Sequence, residues 1–141
     1  MSIKITTLVE NSVYGKGLQG EHGLSLLVDT GGHRLLFDTG ASDLFIRNAR
    51  MLGIDLKDVD FLVLSHGHRD HTGGLHHFLQ VNQKAEVVCK KELFIPKCVP
   101  AYLFFPGWLL RMKKIRILNT SSLWREGTNR LILLRMNWHW Y

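Results

Sequence analysis

The fold is decided by the stretch Phe61-Leu62-Val63-Leu64-Ser65-His66-Gly67-His68-Arg69-Asp70-His71. Its first four residues form a short apolar run between polar neighbours, which is typical of a buried strand. Three histidines and an aspartate follow within the next few residues. His66 and His68 are two residues apart, a spacing that places both side chains on one side of an extended segment but on different sides of a helix. The stretch therefore predicts a buried strand that ends in a cluster of polar side chains.

This cluster has the composition of a metal site. Imidazole and carboxylate groups are ligands that zinc and other first-row divalent ions take in proteins. Gly67 leaves room for the backbone to approach such an ion. A single surface histidine is usually only solvated, but three histidines and an aspartate at one strand end fit neither a core nor an ordinary surface. We therefore predict a metal site built from His66, His68, Asp70 and His71.

The elements around the cluster alternate between strands and helices. Strands are predicted over residues 3–9, 24–29, 33–37, 61–64 and 85–89, and a glycine turn joins the second and third into a hairpin. Helices are predicted over residues 44–52 and 75–79. Asp43 is the expected N-cap of the first helix, whose core contacts are expected to be Leu44, Ile46, Ala49 and Leu52. This order predicts an α/β (α+β) fold in which helices flank a sheet.

Charge divides the chain into two parts. Residues 1–95 hold ten Lys and Arg against eleven Asp and Glu, whereas residues 96–141 hold eight against one. All four tryptophans also lie in the second part. We therefore treat residues 1–95 as one domain and residues 96–141 as a basic, tryptophan-rich tail. Residues 108–141 allow the alternative of a module that binds nucleic acid or a membrane surface, but they contain no recognisable binding motif, so nucleic acid is not the expected partner.

Cysteine usage and hydropathy indicate the cellular location. The two cysteines do not form a disulfide framework, and we find no secretory signal peptide. The longest strongly apolar run, residues 101–110, is half of the roughly 20 residues that span a bilayer. We therefore expect a cytoplasmic protein without a membrane span, in which Cys89 is a buried, small apolar residue.

The motif His66-x-His68-x-Asp70-His71 resembles the signature of the metallo-β-lactamase superfamily, and residues 35–40 resemble its upstream aspartate motif. Residues 21–25, 37–40, 64–68 and 72–75 together resemble one branch of that superfamily. The branch includes synthases of dihydropterin-methyl-ribofuranosylaminobenzene phosphate, from methanopterin biosynthesis. The resemblance covers residues 1–95 and implies the N-terminal half of an αββα sandwich.

The resemblance implies a role for each residue of the motif. His66 and His68 would bind one zinc ion, and Asp70 and His71 would bind a second, with another divalent metal as the alternative. The implied reaction is hydrolysis of a small-molecule substrate, in which a metal-bound hydroxide attacks an ester-type or phosphoryl centre. Asp70 would also be catalytic, accepting a proton during turnover.

Residues near the motif have weaker assignments. Asp38 would not bind the metal itself but would orient the loop that carries the ligands. Alternatively, it is an ordinary strand-end aspartate that caps the backbone of a turn. His22 would line the substrate site or would be an ordinary surface histidine. We expect His76 and His77 to be solvated or packing residues of a helix. Ser65 is expected to hydrogen-bond within its loop, because no base is evident that would make it a nucleophile.

The resemblance stops before the second half of the fold. The family completes its site there with a histidine, a bridging carboxylate and a final histidine. In this sequence His139 is the only histidine after His77, and no aspartate follows Asp70. We therefore expect a truncated chain whose tail replaces the usual sequence, for example through a frameshift, with a diverged short domain as the alternative. The chain is then either a metal-dependent hydrolase or a catalytically inactive remnant.

Overall fold

The computed structural model describes residues 2–90 and 115–118. In that part of the chain a short 3-10 helix, Leu56–Asp58, accompanies six strands and three α-helices. The order of these elements is β1 (Lys4–Val9), β2 (Ser25–Asp29), β3 (Arg34–Phe37), α1 (Leu44–Met51), β4 (Phe61–Leu64), α2 (Arg69–Thr72), α3 (Leu75–Val81), β5 (Glu86–Lys90) and β6 (Ile115–Leu118). The mixed α/β architecture predicted from the sequence is confirmed.

The strands form one sheet in the order in which they occur in the chain. β1, β2 and β3 are antiparallel neighbours, and β2 with β3 is the predicted hairpin. From β3 to β6 the strands are parallel. Parallel neighbours need a crossover, which α1 supplies between β3 and β4, and α2 with α3 between β4 and β5. Consequently the ends of β1, β3 and β4 and the start of β2 lie together, at what we call the carboxyl end of the sheet.

One face of the sheet carries the core. Its central row crosses four strands in register and consists of Leu27, Leu36, Leu62 and Val87, all buried. The row belongs to one apolar cluster with side chains of α1 and α3, among which Phe45 and Phe78 are the largest. Burial of these side chains is the main stabilising contribution to the layer of helices on the sheet.

The opposite face of the sheet is also apolar. Leu26, Phe37, Val63 and Val88 form a cross-strand row there, and each is half-buried. A sheet with one solvated face would carry polar residues at these alternate positions. An apolar second face is instead typical of one layer of a sandwich, in which each sheet packs against helices on one side and a second sheet on the other.

Two details of α1 differ from the sequence prediction. Asp43 occupies the N-cap position, but its side chain makes no capping hydrogen bond. The hydroxyl of Ser42 accepts instead from the backbone N–H of Leu44, at 3.1 Å. Leu52, a predicted core residue, lies just past the helix and is 42% exposed, whereas Phe45 is fully buried. The helix is therefore rotated so that its aromatic residue faces the sheet.

The predicted tail, residues 96–141, lies outside the described residues apart from β6, which pairs with β5. No strand was predicted for residues 115–118. Cys89, on β5, is buried as predicted. Across residues 2–90 and 115–118 no helix has the length and apolar character that a membrane span requires.

Candidate metal centre

The four predicted ligands lie at the carboxyl end of the sheet, directly after β4. His66 and His68 are on the loop that leaves the strand, and Asp70 and His71 are on the single turn of α2. Nε2 of His66 lies 3.1 Å from Nδ1 of His68, and the rings of His66 and His71 are 4.2 Å apart between centroids. Nε2 of His71 lies 3.4 Å from Oδ2 of Asp70. The structure thus brings the four side chains together, while their role as ligands stays a prediction.

Asp38 supports this cluster from beneath. It follows β3 directly and is completely buried. Its Oδ1 accepts from the backbone N–H of Ser65 at 2.8 Å, and its Oδ2 accepts from the Ser65 hydroxyl at 2.6 Å and from Nδ1 of His71 at 2.8 Å. Its φ of 57° lies in the left-handed region, which residues other than glycine adopt rarely and mostly at functional sites.

These contacts fix which ring nitrogen carries a proton. Because a carboxylate only accepts, Nδ1 of His71 donates to Asp38. The Ser65 hydroxyl also donates to Asp38, so its oxygen accepts from Nδ1 of His66 at 2.9 Å. Both rings therefore present Nε2 to the cluster, the arrangement in which a histidine can bind a metal. Ser65 hydrogen-bonds to the next residue of its loop, as predicted, and also to Asp38 on the loop after β3.

The loop after β3 is locked to the turn between α2 and α3. The backbone N–H and the hydroxyl of Thr39 both donate to the carbonyl of His71, at 2.8 and 3.1 Å. The N–H of Gly74 donates to the carbonyl of Gly40 at 3.2 Å. A Cβ at position 74 would lie 2.3 Å from the Thr39 carbonyl oxygen, so only glycine fits there.

His22 reaches the same cluster from the loop between β1 and β2. Its Nε2 lies 3.5 Å from Oδ2 of Asp70, and its Nδ1 lies 3.1 Å from Oδ1 of Asn11. The backbone N–H of Leu24 donates to the carbonyl of Asp70 at 3.2 Å. A histidine that is 48 residues away in sequence is therefore beside a predicted ligand, although its own side chain is 84% exposed.

Electrostatics favour the neutral form of the His66 ring. Partial desolvation of the His66 ring lowers its pKa, and the neighbouring His71 and His68 rings lower it further. A neutral ring is the form that binds a metal.

His77, on α3, also has a lowered pKa because of its burial and the adjacent His76. The rings of His76 and His77 contact each other, with centroids 3.5 Å apart, which agrees with the packing role expected for them.

The types of donor in the cluster suit a divalent cation. Within residues 2–90 and 115–118, however, no group of three or more His, Cys, Asp or Glu side chains is arranged so that it could hold a metal ion. The donor atoms of the cluster instead contact one another in pairs, from His66 to His68 and from Asp70 to His71. Imidazole nitrogens with a carboxylate oxygen are nonetheless the ligands that zinc and related ions take.

Comparison with known proteins identifies the family. The family model described as the metallo-β-lactamase superfamily matches residues 18–108. The chain belongs to this superfamily. The match includes the aspartate loop after β3 and the whole histidine motif after β4, and it extends past residue 95.

Two proteins of one organism, Methanocaldococcus jannaschii, are similar to this chain in sequence. An uncharacterized protein of Methanocaldococcus jannaschii is 35% identical over 96 residues, which are 66% of this chain and 36% of that protein. The 7,8-dihydropterin-6-methyl-4-(β-D-ribofuranosyl)-aminobenzene-5'-phosphate synthase of the same organism is 34% identical over 100 residues, 66% of this chain and 34% of the synthase. This metallo-β-lactamase-fold chain therefore spans about a third of the length of each curated relative.

Among the solved structures that resemble this chain is one with high sequence identity. It is Tm1679, a metal-dependent hydrolase of the β-lactamase superfamily, with 46% identity and a TM-score of 0.53. The similarity covers 66% of this chain and 32% of Tm1679. It supports the fold of the described part of this superfamily member.

Sequence reasoning missed some residues that hold the superfamily motif in place. Asn11 contacts His22, and Thr39 contacts His71. Neither contact could be predicted, because a single polar residue after a strand gives no distinguishing pattern. Glu21 was part of the resemblance without a role. Its carboxylate accepts from the backbone N–H groups of Ala41 and Ser42, at 3.0 and 3.1 Å, and so fastens the β1–β2 loop to the aspartate loop.

Proposed function

We propose that this chain is a metal-dependent hydrolase in which His66, His68, Asp70 and His71 bind zinc. The observation that carries the proposal is the double hydrogen bonding of Asp38. Through Ser65 and His71 this buried carboxylate holds two imidazoles with Nε2 towards the cluster. Orientation of ligands by a hydrogen-bonded carboxylate is a regular feature of histidine metal sites. The membership of the superfamily and the metal-dependent neighbour agree with it.

The residues have separate roles in the proposed reaction. A bound divalent ion would act as a Lewis acid and would lower the pKa of water to near neutrality. Asp38 keeps the rings of His66 and His71 in the binding tautomer. Asp70 has a half-buried carboxylate at the rim of the cluster, where it can accept a proton from the attacking water as well as bind metal. We propose two zinc ions, one at His66 and His68 and one at Asp70 and His71.

The proposed substrate is a small molecule with an ester-type or phosphoryl centre. This proposal rests on the named relative, whose product is a phosphorylated pterin-linked compound. We also propose that the chain acts in a related pathway of pterin biosynthesis. The cytoplasmic location predicted from the cysteines stays a prediction.

Metal loading of the full chain tests the proposal. Purified protein is stripped with a chelator, reloaded with Zn²⁺, and measured for zinc per chain by mass spectrometry. Hydrolysis of bis(p-nitrophenyl) phosphate and of p-nitrophenyl acetate is followed before and after reloading. We expect stoichiometric zinc and a turnover that the chelator abolishes. Failure to retain zinc after desalting would overturn the proposal.

The alternative is a chain that binds metal without turnover. Its basis is that residues 78–141 hold no aspartate and a single histidine, His139. By the family resemblance, two metal ions would take a bridging carboxylate from the second half of the fold. The same experiment separates the two functions, since the alternative predicts bound zinc without hydrolysis of either ester.

A further inference from the structure

We propose that the second face of the sheet is the interface of a homodimer, in which the same face of another copy of this chain covers it. The second face is the side of the sheet that points away from α1 and α3, whose apolar side chains join the cluster on the first face. The inference concerns assembly and needs no metal. It therefore goes beyond the proposed function and does not rest on it.

Two cross-strand rows make up the second face, and each row takes one residue from every strand from β1 to β5. The rows are Ile5, Val28, Leu35, Phe61 and Glu86, and Thr7, Leu26, Phe37, Val63 and Val88. Only Thr7 and Glu86 are polar, and they lie at diagonally opposite corners. The two phenylalanines lie on neighbouring strands near the middle. An apolar centre with aromatic residues and a polar edge is the usual anatomy of a protein–protein interface.

The described part of the chain leaves this face without a buried layer. Among the described residues, the buried apolar cluster includes none of the eight apolar residues of the second face. Leu35 and Val63 are only half-buried, although they lie on strands inside the sheet. Ile5, on the edge strand β1, is 62% exposed. Because exposed apolar residues on an edge strand favour association with another chain, the face calls for a further partner.

The size of the second face matches an interface between two proteins. Five neighbouring strands about 4.8 Å apart and about 15 Å long give a flat footprint of roughly 350 Å². The accessible area of the side chains that project from it is larger than this footprint. It is therefore of the order of the roughly 800 Å² that each partner buries in a stable complex. Contiguous apolar patches of more than a few hundred Å² mark interaction sites on soluble proteins.

The shape and charge of the second face favour another copy of the same sheet as the partner. Two apolar sheet faces pack about 10 Å apart with their strands within about 30° of each other. A second copy also spans the whole width from β1 to β5, including the exposed Ile5. Glu86 is the one charged residue in the two rows, so they lack the cations that bind nucleic acid and anionic membranes.

A twofold axis between the two copies would give a complete layered structure. The layers would then be helices, sheet, sheet and helices, which is a stable way to bury both faces of a sheet. The family resemblance implies the same order of layers within one chain. In the proposed dimer each copy supplies one half of the sandwich.

Sedimentation velocity of the full chain tests the proposal. It is run over a range of micromolar concentrations with a reductant and a chelator, so that neither disulfides nor metal ions contribute. We expect twice the mass of the chain, with dissociation on dilution. A parent chain that stays monomeric would overturn the proposal, whether its own residues or a membrane covers the face. Binding of the monomer to phosphatidylcholine vesicles would separate those two cases. Zinc binding is measured separately and bears only on the proposed function.

Single lysine substitutions locate the interface. Ile5→Lys and Thr7→Lys change exposed positions of β1, so the monomer should still fold, which circular dichroism checks. Each should weaken the dimer by at least about tenfold, because every dimer would bury two unpaired ammonium groups. Met51→Lys is the matched control, since Met51 is a 63% exposed apolar residue on α1. Equal dimer stability in all three variants would refute the assignment of this face.

NMR on a mixed sample gives a readout that depends on contact between the faces. Chain with labelled Leu and Val methyl groups is mixed with unlabelled chain, and only contacts between different copies are recorded. We expect contacts from the methyl groups of Leu26 and Val63 to the phenylalanine rings of the other copy. A dimer without such contacts would associate through another surface and would overturn the proposal.

Discussion

Oδ2 of Asp38 accepts a hydrogen bond of 2.8 Å from Nδ1 of His71, a residue 33 positions further along the chain. The two residues follow different strands, β3 and β4, which are parallel neighbours in the sheet. Parallel pairing brings both strand ends to the same place, so a residue of one loop determines the ring orientation of a residue in the other. The pairing of β3 with β4 thus brings the residues of the candidate centre together. The hydrogen bond to Asp38 then determines which ring nitrogen of His71 carries a proton.

Asp38→Asn tests the effect of this contact on metal binding. The amide would present an N–H where the carboxylate now accepts from Ser65 or His71, which disrupts the bond that holds the binding tautomer. We expect zinc affinity to fall roughly 10–100-fold. Asp43→Asn is the control, since the side chain of Asp43 is 47% exposed and pairs with Arg47. Competition with a chelating dye measures both, and equal affinities for the two variants would contradict the expectation.

Single ligand removals test how many metals bind. His66→Ala and Asp70→Ala each take a donor from a different proposed zinc ion, so each should lower the zinc content of a two-metal chain by one ion. The double variant should retain none. His77→Ala, which changes a packing histidine of α3, should keep the parent content. Metal analysis after desalting gives the counts, and unchanged zinc in both ligand variants would refute the assignment.

The elements of the fold were largely predictable because their signals are local. Residues 61–64 form a continuous apolar run and residues 30–32 form a glycine turn, and both read correctly as part of a sheet. In α1 the N-cap position of Asp43 and the burial of Leu44, Ile46 and Ala49 are as predicted, but Asp43 makes no capping hydrogen bond and Leu52 is exposed. Capping by Ser42 instead of Asp43 and the burial of Phe45 depend on how the helix packs against the sheet, which is a tertiary effect.

Gly74→Ala tests the close contact between the two loops at the centre. The added Cβ would lie 2.3 and 2.5 Å from the carbonyl oxygens of Thr39 and Ser42, so backbone must move. We expect a loss of about 1–3 kcal/mol in the free energy of unfolding, as for other overpacked sites. Urea denaturation followed by circular dichroism measures it. Gly32→Ala, where a Cβ would meet nothing within 4 Å, should change stability by less than about 0.5 kcal/mol.

Cys89 makes stability depend on pH in the alkaline range. Burial raises the pKa of its thiol from 9.0 to about 12. The unfolded chain therefore loses this proton at a lower pH than the folded chain. The resulting stability is present below pH 9 and is lost as pH rises towards 12. Urea denaturation at pH 8 and pH 10 should show a smaller decrease for Cys89→Ala than for the parent chain, and parallel decreases would contradict the burial effect.

The candidate site was predictable only where its residues are adjacent in sequence. The motif from His66 to His71 is compact enough to be recognised without a structure. The contacts of Asn11 with His22, and of Glu21 with Ser42, depend on the antiparallel start of the sheet, which returns the β1–β2 loop to the carboxyl end. Sequence spacing carries no information on such contacts, because they are set by strand register.

The β2–β3 hairpin turns at the end of the sheet opposite the histidine cluster, and Gly32 at its tip has no atom within 4 Å of where a side chain would begin. A dye or an immobilisation handle attached through Gly32→Cys would therefore extend into solvent. A chain anchored in this way on a sensor surface would have the rings of His66, His68 and His71 facing the flowing solution. Association and release of a metal could then be recorded in real time.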